Sequence, residues 1–547
     1  MILKFTQKPD WIQSKVFSIK DKEFGGLKTY YINTEDYMIR RVISFKGRNK
    51  VSDKVYEECY KEFQNRNAGI VSWSTRRFLE FGKLPISKTL VLDSYQSKAL
   101  DLMNTLPRAI LNMDMGTGKT ATVIGWWGKY FSNKSMLIVC PNNVKQEWVD
   151  QFQRFLGITP KIIDNNSEYV ESPENELGNV FIINYEKFRR DKGTDAFKTE
   201  VLVFDEVHKG ASLTSSTHKT MFRFSLLAER VYGLSGSIVG NHFEDIQGIF
   251  AVVDPLIYGT TKEDFYKKYT HYLKGENNNY IIISYKNWEE FNKLFHSISY
   301  TVKLTDVIDM PEKREEFIYC KKDPNYKTLV QEYIFTAEGI DLETGTRDLR
   351  LFTVDRALNM TAKLMQLCSG FIKDTEGNWI RLNTLKRDSL DTWFKEQYNV
   401  FKERKEKIVI FYQFTLSGDD IEEVLKKYNI IYRRIDGHVS DKKKESYKKQ
   451  FKDCEFEDPE GCDVIVINYG TGTEGMNFQR GTVMMYYDQT LEFRKKEQAE
   501  RRIFRRGQTE NCLYINFVAE KSKEIDTYKK LAKIKDFNEY LNTVKEL

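Results

Sequence analysis

Short apolar runs recur along the 547-residue chain between stretches whose apolar positions fall at helical spacing. Four of them, RAILNM, SMLIVCP, NVFIINY and VLVFDE, follow one another between Pro107 and Pro255. Runs this short and this rich in β-branched residues predict strands covered on both faces, because only such a strand places apolar side chains on both sides at no cost. The amphipathic stretches between them are long enough to be the crossovers that parallel pairing requires. A second series, KIVIFYQF, IIYRRIDG, DVIVINYG, VMMYYD and NCLYINFV, predicts a second sheet of the same kind.

This pattern divides the chain into residues 86–260 and 400–547, one α/β layer each, joined by residues 261–399. The joining stretch is rich in tyrosine, phenylalanine and lysine. It shows mostly helical periodicity with one hairpin-like segment, NNNYIIISY, and reads as helical insertions. Residues 1–85 form a further small α+β unit. It has strand-like LKTYYI and MIRRVISF, then DKVYEECYKEF, whose Val55, Tyr56, Cys59, Tyr60 and Phe63 share a helical face. A packing module is the plain reading of that unit, and recognition of substrate or partner is the alternative.

Composition narrows the function classes. Apolar residues at 41% and charged residues at 30% suit a folded globular chain. A formal charge of +6, from 85 basic and 79 acidic residues, is slight, so any nucleic-acid surface is local. The seven cysteines include no C-x-x-C pair, which argues against a disulfide framework or structural zinc and points to a reducing, cytoplasmic setting, nucleoid-associated or not. The start, MILKFTQKPDW, is unlike a signal peptide, and no run approaches the roughly 18 apolar residues of a membrane span. Neither secretion nor membrane insertion is expected.

The first candidate chemistry lies in RAILNMDMGTGKTATVIGWW, where a strand, a glycine turn and a helix follow in succession. In that context backbone N–H groups and the positive helix end hold phosphate. Gly116 and Gly118 let the turn Met115, Gly116, Thr117, Gly118 point its N–H groups inward. Lys119 is then placed to bridge β- and γ-phosphates and the Thr120 hydroxyl to ligate Mg²⁺. Met113 stands where the strict pattern has glycine, so a structural turn is the other reading. VLVFDEVH supplies what a triphosphate hydrolase needs beside such a turn: Asp205 at a strand end to hold the metal, and Glu206 to polarise the attacking water.

With MDMGTGKT and DEVH in this order, the chain resembles a superfamily 2 helicase, and later segments narrow the resemblance to the Swi/Snf-type ATPases. LDSYQSKAL is similar to the adenine-reading segment, which implies that Gln96 bonds the base edge. LIVCPNNVKQEWVDQF is similar to the motif whose loop touches nucleic acid, which implies Pro141, Asn142 and Lys145. GLSGSIVGN stands for the usual Leu-Thr-Gly-Thr-Pro-x-x-Asn, without its proline, and implies coupling through Ser235 and Ser237. KIVIFYQFT and YRRIDGHVS resemble the fourth motif and its sequel, which points to Gln413 and Thr415. NYGTGTEGMNFQ resembles the fifth, with Thr473 in place of a glycine, and implies Gly475 at the nucleotide and Asn477 at nucleic acid. QAERRIFRRGQ, close to Gln-Ala-x-x-Arg-x-x-Arg-x-Gly-Gln, implies arginine fingers at Arg502 and Arg505.

The resemblance runs from Leu92 to Phe517 and implies a fold of class α/β, with two tandem RecA-like parallel-sheet domains, helical insertions and a small N-terminal α+β domain. It implies hydrolysis of ATP with Mg²⁺ in a cleft between the two domains. It also implies motion along duplex, forked or branched DNA through backbone contacts with little sequence preference, remodelling DNA or displacing bound proteins. Two alternatives stay open: an RNA-directed DExH helicase, and an ATP-gated nucleic-acid clamp that does not translocate. A protein partner could dock on the N-terminal unit. The lysine run from Asp441 to Lys449 either widens the nucleic-acid grip or is the wet face of a helix.

Overall fold

The structure, a computed structural model, describes residues 2–5, 16–20, 28–33, 68–77, 79–164, 168, 179–190, 199–259, 261–275, 280–354, 357–472 and 476–543. The chain divides into two compact units: Met1–Val307 with Asn538–Leu547, and Ile308–Phe537.

The first unit is built on a seven-stranded sheet in the spatial order Ser299–Val302, Arg108–Met113, Arg230–Ser235, Val201–Asp205, Met136–Cys140, Val180–Asn184, Lys161–Ile162. Every neighbouring pair is parallel. The four runs singled out by their apolar pattern are four of these strands. All the residues of Arg108–Met113, Met136–Cys140 and Val180–Asn184 are buried, as expected for strands covered on both faces. Helices Ser94–Thr105, Lys119–Trp126, Lys145–Leu156, Ser216–Ser225 and Asp245–Val253 supply that cover. Trp126 packs edge-on against Tyr232 at 4.9 Å between ring centroids, fixing the helix after the glycine turn to the sheet. Near the N-terminus Ile2–Phe5, Lys28–Asn33 and Val16–Lys20 form an antiparallel sheet in that order. The MIRRVISF and DKVYEECYKEF segments lie outside the described residues.

The second unit holds a six-stranded parallel sheet in the order Lys313–Cys320, Cys512–Ala519, Gly481–Tyr486, Lys407–Tyr412, Val464–Asn468, Tyr432–Ile435. Both sheets therefore have the α/β, parallel-sheet character expected from the sequence. No described helix is long and apolar enough to cross a membrane.

Residues 261–399 hold expected helices, among them Lys262–Tyr269, Trp288–Ile298 and Ala357–Cys368, and the expected hairpin, in which Thr270–Lys274 pairs with Tyr280–Tyr285, but also strands that the helical reading does not contain. Ser299–Val302 joins the first sheet and Lys313–Cys320 joins the second. A four-stranded antiparallel sheet follows, in the order Arg347–Thr353, Ile334–Asp341, Trp379–Arg381, Phe371–Lys373. Phe335, Gly339 and Asp341 face inward along Ile334–Asp341. With a glycine and an aspartate at buried positions, the period-2 apolar signal of a strand is erased from the sequence. Asp341 is accommodated by accepting the N–H groups of Glu343 and Thr344 at 2.9 and 3.1 Å in the hairpin turn.

Candidate functional site

In a parallel sheet the loops at the carboxyl ends of neighbouring strands converge. In the first unit, Arg108–Met113 carries the glycine turn there, and Val201–Asp205 ends in the two carboxylates with Arg230–Ser235 between them. Gly118 occupies the left-handed region at φ 80° and caps helix Lys119–Trp126. A Cβ there would lie 2.3 Å from Gln96 Nε2, so the position requires glycine for space as well as for conformation. Lys119 Nζ donates to the carbonyls of Met113 and Asp114 at 2.8 and 3.3 Å, and Thr117 Oγ1 donates to Asp114 O at 2.7 Å. Met115, Gly116 and Thr120 are half-buried, the last in the first helical turn.

Gln96 is 4% exposed. Its Oε1 accepts from Asp93 N at 2.9 Å and its Nε2 donates to Thr117 O at 3.0 Å. Both ends of the amide thus brace the turn. Asp114 was not foreseen. Its carboxylate accepts from Leu304 N at 2.8 Å and its own N–H donates to Val302 O at 2.9 Å, tying the turn to strand Ser299–Val302.

Asp205 and Glu206 are half-buried neighbours in unlike settings. Burial and the charge of Glu206 raise the Asp205 carboxyl to about 7, against the Trp148 indole hydrogen bond and the charge of Lys119. That indole donates to Asp205 Oδ2 at 2.9 Å, and the Tyr185 hydroxyl donates to Asp205 O at 2.7 Å. Glu206 sits in the left-handed region at φ 56°. Burial opposes its ionisation, but the hydrogen bond and charge of His208, with Lys119 and Lys209, outweigh burial and hold it down at about 2. His208 Nδ1 lies 3.2 Å from Glu206 Oε2 and 3.4 Å from Ser235 Oγ. The Ser235 hydroxyl donates to Ser237 O at 2.9 Å, so His208 links the DEVH and GLSGS segments. Burial beside a like charge raises one carboxyl, and a hydrogen-bonded partner with nearby cations lowers the other.

The loop after Met136–Cys140 exposes Asn142, half-buries Lys145 and buries Pro141. Asn184 Nδ2 donates to Asn142 Oδ1 at 2.8 Å and orients it.

In the second unit, Gln413 is half-buried in the loop after Lys407–Tyr412, Thr415 is exposed at the first position of helix Thr415–Lys427, and Asn477 is exposed; Gly475 lies outside the described residues. Arg434 of the YRRIDG segment donates to Tyr412 Oη at 3.0 Å, Asp419 at 2.6 Å and Thr415 O at 3.1 Å. A Cβ at Gly418 would lie 2.6 Å from that guanidinium. Arg502 and Arg505, paired in the sequence reading, are placed differently. Arg502 is 1% exposed and donates to Met476 O at 2.7 Å, whereas Arg505 is half-buried. Gln508 Nε2 donates to the carbonyls of Gln479, Gly481 and Ile503 at 2.9, 3.1 and 3.2 Å. The signature segment, through residues beyond helix Phe493–Glu500, therefore clamps the loop carrying Asn477. The lysine run lies on helix Asp441–Asp453, largely exposed.

A glycine turn between a buried parallel strand and a helix, with paired carboxylates two strands away in the same sheet, defines a phosphate-loop α/β unit. The chain belongs to the SNF2-related family: the SNF2-related domain matches residues 95–370, and a helicase conserved C-terminal domain matches residues 390–507. It is similar to an uncharacterized ATP-dependent helicase of Mycoplasma genitalium, 24% identical over 434 residues that cover 76% of this chain and 38% of that protein. It is also similar to the chromodomain-helicase-DNA-binding protein 1-like of Mus musculus, 22% identical over 442 residues, covering 77% of this chain and 46% of that one. The chain thus spans less than half the length of these relatives. Among solved structures, the SWI2/SNF2 ATPase core of Sulfolobus solfataricus in complex with dsDNA is 18% identical, with 85% of this chain and 98% of that one covered and a TM-score of 0.37.

Proposed function

We propose that this protein is a DNA-stimulated ATPase that translocates on duplex or branched DNA, remodelling DNA structures or displacing bound proteins. The observation that carries the proposal is geometric. The glycine turn with Lys119 and the pair Asp205 and Glu206 follow the carboxyl ends of parallel strands in one sheet with only Arg230–Ser235 between them, so the phosphate cradle and the two acids share one site. In this reading the turn Met115–Thr120 holds the triphosphate, Gln96 keeps the turn in shape, and Lys119 exchanges main-chain carbonyls for phosphate oxygens.

The Thr120 hydroxyl and the Asp205 carboxylate are hard oxygen donors suited to Mg²⁺, and a cation beside Asp205 would favour its ionised form against burial and the charge of Glu206. A Mg²⁺ ion held by these two residues would supply charge neutralisation at the triphosphate. Glu206, kept ionised by His208, accepts the hydrogen bond of the attacking water. Arg505 of the second unit is assigned to the developing charge, and Arg502 to holding the Met476 loop. Gly475 is assigned to the nucleotide. Asn142 and Lys145 with the Pro141 main chain, and Gln413, Thr415 and Asn477, are assigned to the nucleic-acid backbone, a mode that gives little sequence preference and weakens with salt.

ATP hydrolysis measured with duplex DNA, single-stranded DNA and RNA tests the proposal. Duplex DNA is expected to stimulate most, with half-saturation rising steeply with salt. Stimulation chiefly by RNA would overturn the substrate assignment.

A further inference from the structure

The loop after Lys407–Tyr412 is gripped from both sides by residues to which the sequence reading gave no role. Its strand lies between Gly481–Tyr486 and Val464–Asn468. From the first neighbour, Asp488 Oδ2 accepts the main-chain N–H groups of Gln413 and Phe414 at 2.9 and 3.4 Å. From the other, Asn468 Nδ2 donates to Gln413 O at 3.1 Å, while its Oδ1 accepts from Gly470 N at 2.8 Å. Both main-chain polar groups of Gln413 are therefore set by side chains at the carboxyl ends of the flanking strands.

Asp488 is 0% exposed, and an isolated carboxylate so placed would be costly. Its second oxygen is satisfied independently of the loop. Oδ1 accepts from Ser369 Oγ at 2.7 Å and lies 3.6 Å from Lys386 Nζ. Lys386 in turn pairs with Glu524. Ser369 precedes strand Phe371–Lys373 of the inserted antiparallel sheet and Lys386 follows its strand Trp379–Arg381, so the insert anchors one oxygen of the carboxylate and leaves the other for the loop.

We infer that Asp488 and Asn468 are positioning residues: a carboxylate–amide clamp that fixes the main chain at Gln413 so that the loop meets the nucleic-acid backbone in a preset shape. This rests on the proposal that Gln413 and Thr415 contact nucleic acid. A preset loop loses less freedom on binding, so loosening it weakens DNA affinity and leaves the chemistry at the triphosphate alone.

Amide hydrogen exchange and DNA-stimulated hydrolysis on the full chain, in Asn468→Ala and Asp488→Asn, test this. The expected result is exchange at Gln413 and Phe414 faster by about tenfold or more, with Ile408–Phe411 still protected. The duplex-DNA concentration for half-maximal hydrolysis should rise about fivefold to tenfold at an unchanged maximal rate. Asn468→Ala leaves the buried Lys386 pairs intact and serves if Asp488→Asn folds poorly. Unchanged exchange at Gln413 and Phe414 would overturn the clamp. Faster exchange with unchanged half-saturation would overturn its positioning role, and Gln413→Ala then locates the fault. A raised half-saturation in Gln413→Ala faults the clamp, and an unchanged one faults the reading of the loop as a DNA contact.

Discussion

Asp205 and Glu206 in the first unit stand side by side at a strand end, whereas Asp488 and Glu524 in the second are joined through one lysine. The first pair splits, one carboxyl raised to about 7 and the other held at about 2, and the ammonium of Lys119, bonded to main-chain carbonyls, only acts on them through space. In the second pair burial works against the Lys386 ammonium, but Glu524 and Asp488 outweigh it and raise its pKa. The remaining oxygens take N–H groups: Glu524 accepts from Ala519 N at 2.8 Å, and Asp488 from Gln413 N at 2.9 Å. A third acid, Asp420, is closed off in the same way by Arg381 through two bonds at 2.8 and 2.7 Å. The second-unit acids are thus closed by an ammonium or a guanidinium and by N–H groups, while at the glycine turn Glu206 is met by His208 and Asp205, among the described residues, only by the neutral Trp148 indole. In the proposed reading that leaves Asp205 open to a metal cation.

The contrast can be broken by substitution. Glu206→Gln removes the acid assigned to the attacking water; ATP binding should persist while turnover falls by roughly 10³-fold or more, measured by nucleotide binding and steady-state hydrolysis. Near-normal turnover would remove Glu206 from that role. Arg505→Ala should cost roughly 10³-fold in stimulated hydrolysis with DNA binding nearly intact, whereas the same change at Arg502 should act first on stability, read by melting temperature.

Lys386→Met leaves two buried carboxylates without their cation and should destabilise the second unit by about 3–5 kcal/mol, measured by denaturant unfolding. The smallest effect is acid sensitivity at Glu500, the partner of Lys313. Burial opposes its ionisation, but Lys313 and Lys535 outweigh it and hold it at about 2. Because the folded pKa is depressed, its stabilisation is present above the ordinary glutamate value of about 4.3 and is lost as pH falls towards 2. Melting temperature should decline across that window, and Glu500→Gln should lose that part of the slope.

These residues also explain what was legible beforehand. The glycine turn could be read because its pattern is local: Gly116, Gly118, Lys119 and Thr120 are consecutive or nearly so, and the flanking apolar runs announce the strand and helix. Asp205 and Glu206 were legible for the same reason. Asp488 was hidden because its partners lie far off in sequence, Ser369 by 119 positions and Gln413 by 75. Asp114 was quoted within the turn, but its partner Leu304 is 190 residues away. The inserted sheet was missed because Gly339 and Asp341 occupy inward positions where alternation would have placed apolar residues. Arg502 was found by its pattern, yet its 1% exposure depends on a loop that no local spacing predicts.

The central claim is that hydrolysis at the Lys119–Glu206 site becomes motion along duplex DNA. Displacement of a third strand from a DNA triplex tests it most directly. The account predicts release with ATP, none with a non-hydrolysable analogue, and none with Glu206→Gln. Vigorous DNA-stimulated hydrolysis that leaves the triplex intact would contradict it.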